Sequence, residues 1–177
     1  MVPAGGVRSQ VRLSRIFNGP DIAVGGETID LDTSATQLSA VGNRFWSIGP
    51  RNRVFDYGGV GTSFDSVPLP TDEFELGTPF RLGAYGAGEL RGPHYYVATA
   101  GYFRRLGRLP DFMGGPVFAG GWLENGDAFT EWEHAGWRTN GGVGLVMDTR
   151  LGPVVVAGSW GFDGRWRTYL GVGRTFR

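Results

Sequence analysis

The last forty residues alternate apolar with small or polar positions, which is the two-residue period of β-strands. Three strands are predicted here, together running from about Arg138 to Phe176. Each has one mostly apolar face, made of Val143, Leu145 and Met147 in the first strand, Val154, Val156, Trp160 and Phe162 in the second, and Trp166, Thr168, Leu170, Val172, Arg174 and Phe176 in the third. A turn is predicted at Arg150 to Gly152 and a tight hairpin at Asp163-Gly164, because Asp-Gly tolerates the positive φ of such turns.

The length of the final strand agrees with a membrane-crossing strand. Ten residues at about 3.3 Å each span about 33 Å, and a tilt of about 45° projects this to about 24 Å, close to the apolar band of an outer membrane. A long strand in a soluble sandwich or lipocalin-like barrel has the same alternation, so the pattern alone leaves both interpretations open.

Upstream, further strands are predicted from aromatic, β-branched and small residues. The clearer pair is Pro93 to Leu106 and Pro116 to Glu124, with loops at Gly107 to Gly115 and Asn125 to Trp137. Less regular candidates are Val7 to Ile16, Ile22 to Leu31, Gln37 to Trp46, Val54 to Phe64 and Phe74 to Tyr85. We therefore predict one all-β domain over residues 1–177, clearest over 74–177: an antiparallel transmembrane β-barrel of about eight to ten strands, or its C-terminal part.

Composition excludes several classes of function. The chain has 32 Gly, 6 Trp, 6 Tyr and 12 Phe, a balance that favours strands and turns over helices. Its formal net charge of +0 argues against nucleic-acid binding, and the absence of cysteine excludes disulfides and thiol chemistry. The N-terminus lacks the pattern of a signal peptide, so a membrane barrel with this sequence is expected to be part of a longer protein.

No catalytic, metal or cofactor site is predicted. Gly61 to Asp65 lacks the second glycine of a serine-hydrolase elbow, and His94 and His134 have no metal-ligand spacing. The carboxylates Glu124, Asp127, Glu131 and Glu133 are interpreted as a solvated loop, with bound cations as the alternative. Glu124 is distinguished because it ends an aromatic strand and could point into a lumen to meet arginines.

The segments Phe80 to Phe129 and Met147 to Phe176 resemble the C-terminal barrel of bacterial patatin-like phospholipases, within the bacterial surface antigen superfamily. The resemblance implies a bacterial outer-membrane barrel that anchors or helps to export an attached domain, with outer-membrane lipid and the barrel-insertion machinery as partners. It also implies two sets of residues. The lumen-motif candidates are Leu82, Gly83, Tyr85, Glu89, Arg91, Gly92, Glu124 and Asp127, and the lipid-facing or insertion-signal candidates are Trp166, Leu170, Val172 and Phe176.

The chain departs from this family at three places. Gly83-Ala84-Tyr85 replaces an Arg-Gly-aromatic motif, Arg174 replaces a second terminal aromatic residue, and Arg177 follows Phe176. The family's lipase activity belongs to a separate N-terminal domain with a Gly-x-Ser-x-Gly nucleophile that this sequence lacks. We therefore expect no enzyme activity in this chain, and open sheet edges that a second barrel half or a homodimer would cover.

A soluble β-barrel that binds a small apolar ligand is the alternative function. It predicts that Trp166, Leu170, Val172 and Phe176 point inward to a core, whereas the membrane interpretation predicts that they face lipid.

Overall fold

The computed structural model describes residues 2–16, 22–24, 27–29, 35–64 and 73–173. Over these residues the strands are β1 Gly6–Ile16, β2 Ile22–Val24, β3 Glu27–Ile29, β4 Ala35–Ile48, β5 Asn52–Ser63, β6 Phe74–Leu76, β7 Leu90–Gly92, β8 His94–Arg108, β9 Gly114–Phe129, β10 Arg138–Thr149, β11 Gly152–Gly161 and β12 Trp166–Val172. A short 3-10 turn, Trp132–His134, lies between β9 and β10. The predicted all-β class is confirmed.

Eight of these strands form one antiparallel sheet in the order β1-β4-β5-β8-β9-β10-β11-β12. Strands next to each other in this sheet are consecutive along the chain apart from two small hairpins, β2-β3 and β6-β7, which interrupt the meander. Within the described residues β1 and β12 each pair on one side only, so they are the edges of the sheet.

The inner face of the sheet, defined as the face that packs against residues 77–89, contains most of the core. Large rings on one strand lie over glycines on the next: Gly101 lies between the Phe55 ring and Trp122, and Gly142 lies beneath the Trp122 indole. A Cβ at either glycine would overlap the ring, so the side chains can interlock only because these positions have none. Part of the chain's high glycine content is therefore a packing requirement.

The opposite, outer face exposes large apolar side chains on every long strand. The alternation of β10, β11 and β12 is as predicted, with Val143, Trp160 and Leu170 outward and Val146, Ser159 and Tyr169 inward. The exposed apolar residues of this face are Val7, Val11, Leu13, Leu38, Ile48, Val60, Tyr102, Leu123, Val143, Leu145, Val156, Trp160, Trp166, Leu170 and Val172. Over the described residues, the sheet thus has one face covered by the inner loop and one mostly uncovered apolar face. Trp132 and Trp137 pack on that second face only near Phe129 and Tyr96.

Residues 77–89, which we call the inner loop, connect β6 to β7 and lie on the inner face. Phe80 and Leu82 are buried there, as are Ala84 and Tyr85. The prediction of a strand over Phe74 to Tyr85 was wrong: only Phe74–Leu76 is extended, and the apolar residues that follow are buried by packing onto the sheet.

Two other predicted boundaries were wrong. β9 continues to Phe129, so the segment predicted as a loop from Asn125 begins as strand. Within the candidate strand Ile22 to Leu31, the structure describes two three-residue strands, Ile22–Val24 and Glu27–Ile29, that pair with each other; positions 25–26 and 30–31 lie outside the described residues. The hairpin at Asp163-Gly164 is confirmed, with Gly164 at φ 88° and the Gly161 N–H donating to the Arg165 carbonyl at 2.8 Å.

Within the described part of the chain, no helix has the length and apolar character needed to cross a membrane.

Candidate functional site

The inner loop begins with a tight turn at Thr78–Arg81. The Arg81 N–H donates to the Thr78 carbonyl at 2.8 Å, and Pro79 occupies the turn position that favours proline. Phe80 follows at φ 65°, where glycine is the usual residue, and Leu82 has φ 61°. Each such conformation costs about 1–2 kcal/mol for a residue with a side chain, so the surrounding contacts must hold it.

The contacts of Phe80 explain why this backbone is stable. Its ring lies edge-on to Phe55 with centroids 5.6 Å apart and is tilted against Trp122 at 4.6 Å. The Thr99 hydroxyl also donates to the Phe80 carbonyl at 2.7 Å. Burying a phenylalanine contributes more than the strained φ costs, so the ring fixes the loop against β5 and β9, and the carbonyl fixes it against β8.

Glu124 on β9 holds the middle of the inner loop. This side chain is only 1% exposed, and its Oε2 accepts the Gly83 N–H at 2.7 Å while its Oε1 accepts the Trp122 Nε1–H at 3.1 Å. In the amide orientation that satisfies both of its polar atoms, the Asn140 oxygen accepts the adjacent Ala84 N–H at 3.2 Å and its nitrogen donates to the Thr139 carbonyl at 3.0 Å. Buried backbone donors are costly without partners, so these two side chains satisfy the loop backbone where it crosses the sheet.

Tyr85 fixes the loop at the end of the sheet nearest the β11–β12 turn. Its hydroxyl donates to Asp163 Oδ2 at 2.7 Å, and the Arg165 and Arg138 guanidinium groups lie 4.9 and 5.7 Å from its ring. This hydrogen bond lowers the pKa of the Asp163 carboxyl, because it stabilises the ionised form. Burial raises the pKa of the Tyr85 hydroxyl, which therefore remains a donor at neutral pH.

Three further predicted lumen residues lie at or beyond the end of the inner loop. Glu89 accepts the Gly86 N–H at 2.7 Å and pairs with Arg165. Arg91 pairs with Glu75 at 2.7 Å across the β6–β7 hairpin, where both side chains are about half exposed. Gly92 lies against the Phe129 backbone, with no room for a side chain.

Asp127 does not join this group. It is opposite Tyr96 in the register, three residues along β9 from Glu124, and therefore on the outer face. Its carboxylate accepts the Gly136 N–H at 2.7 Å and pairs with Arg138 at 2.9 Å, so it anchors the β9–β10 connection.

Those predicted lipid-facing residues that the structure describes all lie on the outer face. Trp166 is 73% exposed, Leu170 72% and Val172 65%. Phe176, and Arg174 beside it, lie outside the described residues.

The contacts of the side chains in and around the inner loop anchor this loop to the sheet. Among the described residues, no group of three or more His, Asp or Glu side chains could hold a metal ion. His94 bonds to the Thr62 hydroxyl at 2.8 Å, and His134 pairs with Glu131 at 3.0 Å, both away from the inner loop.

Sequence reasoning missed four residues that hold the loop: Phe80, Thr99, Asn140 and Asp163. Asp163 was interpreted only as a turn former, and its hydrogen bond to a residue 78 positions away has no local signal. The Glu124 side chain points to the inner face of the sheet. Its partners are a backbone N–H and an indole instead of arginines.

No protein-family model matches the chain, and no curated protein matches it.

Proposed function

We propose that this chain is an outer-membrane β-barrel module, the C-terminal part of such a barrel, that anchors or helps to export an attached domain and has no catalytic activity of its own. The observation that carries the proposal is the apolar outer face. It spans all eight strands of the main sheet, whereas the largest apolar patch on a typical water-soluble monomer is about 300–600 Å².

Strand length and the inner face support the same function. A tilted strand crosses an outer membrane in about 9–11 residues, and β4, β8 and β9 have 14, 15 and 16. The inner loop packs onto the other face, as in membrane barrels whose interior is filled by part of the chain. The resemblance of Phe80 to Phe129 to patatin-like phospholipase barrels supports the bacterial outer membrane as the location.

Charged residues interrupt the outer face, among them Arg15, Arg44, Asp56 and Arg104. Arg44 and Asp56 are cross-strand neighbours on β4 and β5 and are both exposed. A lone charge on a lipid-facing strand costs up to about 2–4 kcal/mol at the bilayer midplane. Opposite charges placed directly across two strands partly offset that cost.

The sheet edges imply a further partner under this proposal. β1 and β12 carry unpaired backbone groups on their outer sides over the described residues. Such groups must be paired within lipid, so we propose that a second barrel half or a second copy of the chain covers them.

Spin labels on neighbouring residues of β12 test the membrane placement. The chain has no cysteine, so Leu170→Cys labels the outer face and Gly171→Cys labels the inner face, where a side chain meets nothing within 4 Å. After reconstitution into vesicles, the label at 170 is expected to be reached by oxygen and protected from a water-soluble nickel reagent. The label at 171 should be less accessible to oxygen.

Equal nickel accessibility at the two positions would reject the membrane proposal, as would a stable monomer in water without detergent. A label at 170 that is shielded from both reagents would favour the soluble ligand-binding barrel. Ester hydrolysis by the chain alone, above a heat-denatured control, would reject the non-catalytic assignment.

A further inference from the structure

The inner face is basic on the side of the sheet formed by β1, β4 and β5. The inward positions of these strands include Arg8, Arg12 and Arg53 and, over the described residues, no Asp or Glu. Arg53 donates to the carbonyls of Gly49 and Asn52. No described carboxylate pairs with any of the three arginines.

A cavity of about 150 Å³ lies between this basic surface and the inner loop. At about 30 Å³ per water molecule it has room for about five waters. The polar side chains that line it can all donate hydrogen bonds: Arg8, Gln10, Asn43, Tyr57 and Arg81. Two of the five are guanidinium groups, and the lining contains no carboxylate.

The position of Arg81 is fixed by the loop. Its neighbours Phe80 and Leu82 both have positive φ, and its guanidinium lies 5.7 Å from the centre of the Tyr95 ring. One terminal nitrogen reaches the Glu75 carbonyl at 3.4 Å, while the buried Nε has no hydrogen-bond partner in the described structure. Strained backbone therefore holds a partly unsatisfied cation beside the cavity.

We propose that this cavity binds a tetrahedral oxyanion, inorganic phosphate or the phosphate or sulfate group of a small anionic solute. Two guanidinium groups on one cavity repel each other unless an anion lies between them, and their planar forks match phosphate oxygens. Amide and phenol donors suit an anion with more than two oxygens better than they suit a planar carboxylate. The proposal goes beyond the membrane role and does not depend on where the outer face lies.

Thermal unfolding of the chain in dodecyl maltoside, titrated with inorganic phosphate against chloride at constant ionic strength, tests the site. Phosphate is expected to raise the apparent Tm saturably, because a ligand that binds only the folded state stabilises it. In Arg81→Gln and in Arg8→Gln, the apparent Kd for phosphate should rise about tenfold to a hundredfold, the loss of one charge-assisted contact.

Arg104→Gln is the matched control, since it removes one exposed arginine from the outer face of β8 and should leave the phosphate Kd unchanged. Arg8 is exposed on an edge strand, so its variant keeps the test valid if Arg81→Gln unfolds. Equal weakening in all three variants, or an equal effect of chloride, would overturn the proposal.

Lipid phosphate is the other source of the same chemistry. If stabilisation came only from phosphatidylglycerol vesicles, and inorganic phosphate in maltoside had no effect, the proposed site for a free anion would be wrong. Spin-label accessibility at 170 and 171 reports on the membrane role separately, so the two proposals fail independently.

Discussion

Replacing Glu124 should release the inner loop from the sheet. In Glu124→Leu, the Gly83 N–H and the Trp122 indole N–H both lose their acceptor in a site that is 1% exposed. Each unsatisfied buried donor costs about 1–3 kcal/mol, giving about 2–6 kcal/mol in total. Glu124→Gln keeps one acceptor oxygen, so its loss should be about half as large.

A second effect has the opposite sign. Burying the Glu124 carboxylate costs desolvation free energy when the wild type folds, and leucine avoids this cost. The order of the two variants in unfolding free energy therefore separates hydrogen bonding from desolvation better than either free energy alone. If the hydrogen bonds dominate, the unfolding free energy is highest in the wild type, lower in Glu124→Gln and lowest in Glu124→Leu. If desolvation dominates, the leucine variant matches or exceeds the glutamine variant.

Two measurements on the chain in detergent follow these variants. Heat-induced loss of the near-ultraviolet circular dichroism signal reports stability, with a Tm shift of about 2–4 °C per kcal/mol for a chain of this size. The rate of trypsin cleavage after Arg81 reports release of the loop and should rise most in Glu124→Leu. Glu131→Gln, at an exposed carboxylate, is the control and should change neither value.

A leucine variant that is as stable as the glutamine variant, with cleavage at Arg81 no faster than in wild type, would refute the role assigned to Glu124. Faster cleavage without a fall in Tm would mean that the carboxylate holds the inner loop on the sheet but does not contribute to overall stability.

Three further predictions concern single positions. Phe80→Ala should cost about 3–5 kcal/mol, and Phe80→Gly about 1 kcal/mol less than alanine because glycine adopts φ 65° freely; equal unfolding free energies would contradict the strain. Gly101→Ala should lower the Tm because its Cβ would overlap a ring on β5, whereas Gly107→Ala, with nothing within 4 Å, should not. Tyr85→Phe should raise the pKa of the Asp163 carboxyl toward its ordinary value, measured by carbon NMR of the carboxyl in micelles, and an unchanged pKa would contradict the hydrogen bond; the stability that this bond gives is present above the ordinary pKa of aspartate and is lost as pH falls through the lowered one.

The sequence predicted the faces of β10 to β12 because alternation is a local property. Val143, Trp160 and Leu170 lie outward as expected, and the Asp163-Gly164 turn fixes the register between the last two strands. Nothing distant in the chain is needed to read these faces.

The wrong predictions concern segments whose structure depends on tertiary contacts. Asn125-Gly126 has the residues of a hairpin turn, yet β9 continues through it because Gly126 fits closely against the backbone of β8. Apolar residues at alternate positions, such as Phe80 and Leu82, occur both in a strand and in a loop that packs onto a sheet. Only the contacts with Phe55 and Trp122 distinguish the two.

The inward direction of Glu124 was predictable, but the identity of its partner was not. A backbone N–H such as that of Gly83 is present at every residue except proline, so the sequence cannot mark which one a carboxylate will accept.

The order of the anchors along the chain has a consequence for folding. The inner loop is followed in the chain by the partners that accept from or donate to its residues 80 to 85: Thr99 on β8, Glu124 on β9, Asn140 on β10 and Asp163 after β11. The loop therefore cannot reach its final position until the last hairpin has formed, although neighbouring strands can pair soon after each is available. Meander pairing is local and fast, whereas closing the 78-residue separation from Tyr85 to Asp163 is slow. Docking of the loop should be the late step of folding, and a chain that ends before β11 would form much of the sheet while this end of the loop remains undocked.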